Sequence, residues 1–114
     1  ASEERRSPIC GSRVVIDVAL DEQGRVRDFR QEVRACALGQ ASACLLGQAV
    51  LGQSADALER TAQSLRLWLT AEDADAPDWP GIAVFEAARA YPARHDAICL
   101  PFEAAAAAAR RGIS

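Results

Sequence analysis

Four cysteines, one histidine and a few clustered carboxylates are the side chains of this sequence whose types could do chemistry. Cys36 falls where a strand-like run gives way to a helical one. A helix N-terminus stabilises thiolate over thiol, so a reactive or metal-binding sulfur fits there. The competing reading is a buried cysteine acting as a small hydrophobe, and position leaves both open. Cys10 lies between Pro8-Ile9 and Gly11, in a loop that would let a thiol reach a site without strain; a loop cysteine without function fits the same pattern. Cys44, two turns beyond Cys36, is expected to be buried between helices as a structural thiol. His95 precedes the last helix and can either supply nitrogen to a thiolate site or stand exposed in a loop. Asp73, Asp75 and Asp78 share one stretch, most simply a solvated charge run. No Ser/His/Asp spacing with nucleophile-elbow glycines occurs, nor a phosphate-cradling Gly-rich loop, and a single histidine limits acid–base schemes.

The frame that must position these residues is small. A chain of 114 residues sets a prior of one domain with one core, and 50% hydrophobic with 25% charged residues is the composition of an ordinary globular protein. A formal net charge of -3 argues against nucleic acid as a partner. All 13 cationic residues are arginine and they are scattered, which reads as coding bias. No apolar run approaches the roughly 20 residues of a membrane span, and Ser2-Glu3-Glu4-Arg5-Arg6 lacks a signal-peptide core, so a cytoplasmic location without membrane contact is expected. In a reducing compartment the cysteines are read as free or metal-bound, not disulfide-linked.

Residues 1–7 read as a charged leader and 8–114 as the single domain. Arg13–Leu20 is a β-branched run suited to a strand, Asp21–Gly24 a hairpin turn, and Arg25–Val33 its antiparallel partner with one wet face, so that a hairpin opens the domain. Ala37, Leu38, Ala41, Cys44, Leu45, Gln48 and Ala49 fall at helical spacing, predicting a helix over about 38–51 that Gly52 ends. Ser54 starts a second amphipathic helix through Leu58, Ala62, Leu65 and Leu69, the stretch from Ala71 to Pro80 is a surface loop, and Ile82–Ala90 forms a short helix closed by Pro92. From about Asp96 a final Ala-rich helix runs to Arg111. The fold class expected is α+β, a small antiparallel sheet packed against several helices.

Pro8-Ile9-Cys10-Gly11-Ser12 before a strand, followed by Ala35-Cys36-Ala37-Leu38-Gly39-Gln40-Ala41-Ser42-Ala43-Cys44, resembles the U-type iron–sulfur cluster scaffold family (IscU, SufU and the NifU N-terminal domain). The second segment is similar to the family's G-C-A-I-S-x-A-S-x-S turn and helix. Pro92-Ala93-Arg94 ahead of Leu100-Pro101-Phe102 resembles its closing segment. The likeness covers about residues 7–111. It implies that three cysteines and an aspartate, sometimes with a histidine, hold zinc or a nascent cluster. Cys10 and Cys36 match the first two ligand cysteines. Ser12 stands where the aspartate is expected, and a gapless alignment puts Ala97 at the third cysteine's position. Cys99 replaces it only if the helix start shifts by two residues, since positions 97 and 99 differ by about 200° around a helix. The fullest ligand set is therefore Cys10, Cys36, Cys99 and His95, acceptable for zinc as a Cys3His site; the smallest is Cys10 and Cys36.

The resemblance implies a non-enzymatic cluster-assembly scaffold or sulfur-transfer protein, binding an iron–sulfur cluster or zinc through thiolates or no metal at all, with a cysteine desulfurase or other assembly component as partner. A metal-free interaction protein of the same fold is the alternative, favoured by the missing Asp and Cys. A purely structural zinc domain fits less well, because a chain this long can fold around its own core. Cys10 and Cys36 are expected within about 7 Å of each other, because a hairpin returns the chain to its start and the resemblance puts both at one end of the sheet.

Overall fold

Five residues with no apolar side chain, Ser2–Arg6, form the first strand, β1. The sequence reading makes them a leader outside the domain; in the computed structural model, which describes residues 1–8 and 11–113, they are part of the sheet. Backbone pairing and charge hold them there. The Ala1 amine donates to the Val18 carbonyl at 2.8 Å, Arg5 and Arg6 pair with Glu3 and Glu4, and Arg111 reaches Glu3 at 3.3 Å.

The central strand is β2 (Arg13–Leu20), on the boundaries its β-branched run suggests. Val14, Ile16 and Val18 turn inward and are buried, while Arg13, Val15 and Asp17 face the other way. At the turn, Asp21 Oδ1 accepts from the amides of Gln23 and Arg25, and Gly24 takes a φ of 77°. The return strand β3 (Val26–Arg34) pairs antiparallel, with Val14 opposite Val33 and Arg13 opposite Arg34. The expected hairpin is thus two strands of a three-stranded antiparallel sheet in the order β1-β2-β3.

Three helices accompany this sheet, of which the first and third pack directly on it. The first is α1 (Ala37–Ala49), the second α2 (Ala55–Thr70) and the third α3 (His95–Ile113). α3 is the central element, touching β1, β2, α1 and α2. Its Ala104, Ala105, Ala106, Ala108 and Ala109 are all buried, so the Ala run is packing as well as propensity: methyl groups let the helix lie close to a sheet on one side and a helix on the other. Ser54 caps α2 by accepting from the Ala57 amide at 3.1 Å, an interaction typically worth ~1 kcal/mol.

Between α2 and α3 the chain makes two 3₁₀ segments, Ile82–Ala90 and Pro92–Arg94, where the sequence suggests a short helix. Side chains fasten the first of them. Arg89 donates to the Trp68, Ala71 and Glu72 carbonyls at the end of α2, and Trp79 Nε1 donates to the Leu45 carbonyl at 2.8 Å.

α1 sits one residue rotated from expectation. Its buried positions are Gly39, Ser42, Ala43 and Leu46, and Cys44 is exposed, which corrects its assignment as a buried structural thiol. The cause is local. Gly39 has no side chain and approaches α3 closely, and the Ser42 hydroxyl is satisfied by donating to the Ile98 carbonyl at 2.5 Å, so two non-hydrophobic residues occupy the buried face.

Candidate functional site

One end of the sheet gathers the segments that matter. Arg6, Arg13 and Arg34 stand opposite one another across β1, β2 and β3, so the connection after β1 and the corner after β3 leave the sheet side by side. The first is closed by its own backbone: the Ser7 amide donates to the Ser12 carbonyl, and the Gly11 amide to the Ser7 carbonyl, both at 2.9 Å. Gly11 takes a φ of 70°, a conformation a side chain would disfavour. Cys10 lies outside the described residues, and so does its expected approach to Cys36.

Cys36 is the N-cap residue of α1, in extended backbone, with an exposed thiol that makes no capping hydrogen bond. Its carbonyl accepts from the Gln40 amide at 2.9 Å, so α1 begins as its backbone requires while the sulfur is left to solvent. Cys36 is therefore not the buried small hydrophobe its position also allowed.

The start of α3 comes to the same end. Asp96 accepts from the Ser7 hydroxyl at 3.2 Å through Oδ2 and from Arg66 of α2 at 3.1 Å through Oδ1, and Arg66 also forks onto Glu103 at 3.0 and 3.2 Å. The Glu103 hydrogen bond is the largest of the effects that raise the Arg66 pKa above its ordinary value. This bracket of Ser7, Asp96, Arg66 and Glu103 ties the Ser7–Ser12 connection to two helices. Sequence reasoning missed it; the one available signal was an acid in the first turn of the last helix.

Position 97 faces α1. A Cβ built on Gly39 would lie 3.4 Å from the Ala97 carbonyl oxygen and 3.8 Å from its methyl, and Gly39 is three residues past Cys36. Position 99 looks elsewhere. The Cys99 thiol is fully buried in the hydrophobic core, with Arg66, Glu103 and Asp96 as its charged surroundings, and burial pushes its pKa up to about 12 against a partial opposing pull from Arg66. It is a neutral thiol at neutral pH. His95 is buried, with Nε2 3.1 Å from the Ala88 carbonyl and 3.2 Å from that of Arg89. Carbonyls only accept, so Nε2 is the donor here, and in the neutral ring the lone pair lies on Nδ1. Ser12 is buried, 3% exposed. Among the described residues no three His, Cys, Asp or Glu side chains are grouped so as to hold a metal ion.

The profile of the NifU-like N terminal domain matches residues 1–97, most of the chain. The chain belongs to this family. Among solved structures, the N-terminal part of a nitrogen-fixing NifU-like protein from Brucella abortus is 35% identical, superposes with a TM-score of 0.89, and is matched over 99% of this chain and 78% of that one. A protein from thermophilic Fervidobacterium islandicum AW-1, assigned as an iron–sulfur cluster assembly scaffold for the SUF system, has a TM-score of 0.81 at 20% identity, over 95% of this chain and 79% of that one. At that identity the likeness is one of fold. No curated protein matches. The NifU-like family and its α+β fold, expected from the Cys10 and Cys36 segments, are thus shown by both profile and structure. No helix among the described residues is long and apolar enough to cross a membrane.

Proposed function

We propose that this NifU-like domain is a non-enzymatic component of iron–sulfur cluster assembly that takes its cargo, sulfur or a nascent cluster, on Cys36 with Cys10 as second thiolate, and holds it loosely. The observation that carries the reading is the exposed Cys36 thiol at the corner where the Ser7–Ser12 connection, the first turn of α1 and the first turn of α3 meet. Cys99 and His95, the remaining members of the fullest ligand set, are both buried, whereas Cys36 is exposed. Loose holding follows, because two thiolates are half of a tetrahedral thiolate site.

Sulfur transfer needs least from the site. A cysteine desulfurase, the partner class the family implies, would present a persulfide. The Cys36 thiolate would attack its outer sulfur, a new S–S bond would form on Cys36, and the donor's thiolate would leave with the electron pair of the broken bond. A metal-free interaction protein of the same fold is the second reading, favoured by Ala97 and Ser12 in place of ligands.

The deciding experiment combines iron, zinc and sulfide analysis of protein purified without oxygen with mass spectrometry of Cys36 after incubation with a desulfurase and cysteine. Substoichiometric metal, or a sulfane sulfur on Cys36, is expected, and Ala97→Cys combined with Ser12→Asp should raise occupancy. Neither metal nor persulfide would leave the interaction reading. Full occupancy in the unmodified protein that disappears on Cys99→Ala would overturn the register described for α3.

A further inference from the structure

Three arginines stand side by side across the end of the sheet that carries Cys36. The register sets Arg6 opposite Arg13 and Arg13 opposite Arg34, so all three side chains leave the sheet on the side away from the helices, and Cys36 follows Arg34 by two residues. Like charges directly opposite one another destabilise a sheet unless carboxylates answer them. Here the answer is incomplete. Glu4 serves both Arg6, at 2.8 Å, and Arg13, at 3.1 Å; Glu32 acts on Arg13 from one row further in; Arg34 has no ion-pair partner among the described residues. The Arg13 Nε is buried without a hydrogen-bond partner among those residues. Arg94, stacked on Tyr91 just ahead of α3, adds another exposed cation near the Ala97 end of that helix. The outward carboxylates Asp17 and Asp28 stand further along the sheet, away from the arginines. In a chain of net charge -3 this end is a local reversal of sign.

We propose that the arginine row is the docking edge for a carboxylate-rich segment of the protein that exchanges cargo with Cys36. Planar guanidinium forks match carboxylates in bidentate geometry, and an Arg34 left unanswered within the sheet has its donors free for a partner. Exposed arginines draw an acidic segment mainly through on-rate and in a salt-dependent way, which suits a brief cargo-exchange contact better than a permanent complex. The inference rests on the cluster-assembly reading for the cargo, but the contact itself requires neither metal nor sulfur.

The test uses a dye-labelled, glutamate-rich peptide followed by fluorescence anisotropy as salt is raised. Wild type and a remote control, Arg60→Gln on α2, should bind alike, whereas Arg6→Gln combined with Arg34→Gln should lose about five- to tenfold in affinity and show a shallower salt dependence. Bound peptide should also slow alkylation of Cys36 by a neutral reagent. Equal affinity of the double variant and the control, binding indifferent to salt, or unprotected Cys36 would each overturn the proposal. So would concentration-dependent self-association of the wild type abolished by Arg34→Gln, since the row would then face Asp17 and Asp28 of a second copy. Because peptide binding and persulfide formation are read separately, failure of one is distinguishable from failure of the other.

Discussion

Two glycines in α1, eight residues apart, should respond to the same substitution with opposite signs. Replacing glycine by alanine inside a helix ordinarily gains up to ~1 kcal/mol from backbone entropy and propensity. At Gly47 the new methyl would meet Gln31 Nε2 at 3.4 Å and Phe29 Cε2 at 3.9 Å, ordinary contacts, so Gly47→Ala should stabilise by roughly 0.5–1 kcal/mol. At Gly39 it would lie 2.5 Å from the Ala35 Cβ, with the Ala97 carbonyl oxygen at 3.4 Å behind it. Carbons rest about 3.5–4 Å apart, so the Ala35–Cys36 corner or the whole first turn must move by about 1 Å, and neither neighbour has a flexible end to swing aside. Overpacking of this kind costs ~1–3 kcal/mol, which outweighs the propensity gain and leaves Gly39→Ala destabilised by about 1–2 kcal/mol. Urea titration with an unchanged m-value reads both variants as shifts of midpoint. The rate of Cys36 alkylation should change in Gly39→Ala and not in Gly47→Ala. A Gly39→Ala protein as stable as Gly47→Ala would refute the tight fold-back of the Ala35–Cys36 corner onto the first turn of α1, which sets where Cys36 stands.

Cys44→Ser should shift stability by less than about 0.5 kcal/mol, because the thiol is exposed and its one polar contact is Gln48 Nε2 at 3.6 Å; differential scanning calorimetry checks this. A neutral thiol reagent near pH 8 should modify Cys36 and Cys44 in the folded protein and Cys99 only on unfolding, and peptide mapping would expose any early labelling of Cys99. Cys99 also sets a pH limit. An unfolded chain ionises this thiol near its ordinary value of 9.0 while the folded chain holds it to about 12. Below pH 9 both states keep the proton and the contribution is fully present; between 9 and 12 only the unfolded state loses it, and stability falls by about 1.4 kcal/mol per pH unit. Cys99→Ala should flatten that part of the stability curve, and an unchanged slope would mean that Cys99 is ionisable in the folded protein.

The sequence was most legible where one physical signal acted alone. β2 is a β-branched run and keeps its boundaries; Ser54 and the 3.6-residue spacing of Leu58, Ala62, Leu65 and Leu69 locate α2; the Ala run locates α3. β1 was illegible because Ser-Glu-Glu-Arg-Arg has neither alternation nor strand propensity: its conformation is imposed by the free edge of β2 and by ions paired along and across strands. The face of α1 was misjudged because the helix has no charged residue to mark its wet side, so Cys44 was counted among the apolar positions while Gly39 and Ser42 were not. At the site, the thiol at the β3–α1 corner and the family of the chain were readable from local motif. The bracket of Ser7, Asp96, Arg66 and Glu103 was not, because it joins side chains up to 89 positions apart that no spacing rule connects.

β1 has a consequence for how the protein behaves in crowded solution. A strand at the border of a sheet offers a row of unclaimed amides and carbonyls to any other extended chain, and flat apolar borders recruit copies of themselves into fibrils. Four of the five residues of β1 are ionised, and β3 at the opposite border turns Asp28, Arg30, Glu32 and Arg34 outward. A second copy pairing with either border would set its own side chains directly beside these charges, and like charges opposite one another oppose the pairing. The leader-like composition that hid β1 from sequence reasoning is thus what keeps this small sheet from growing.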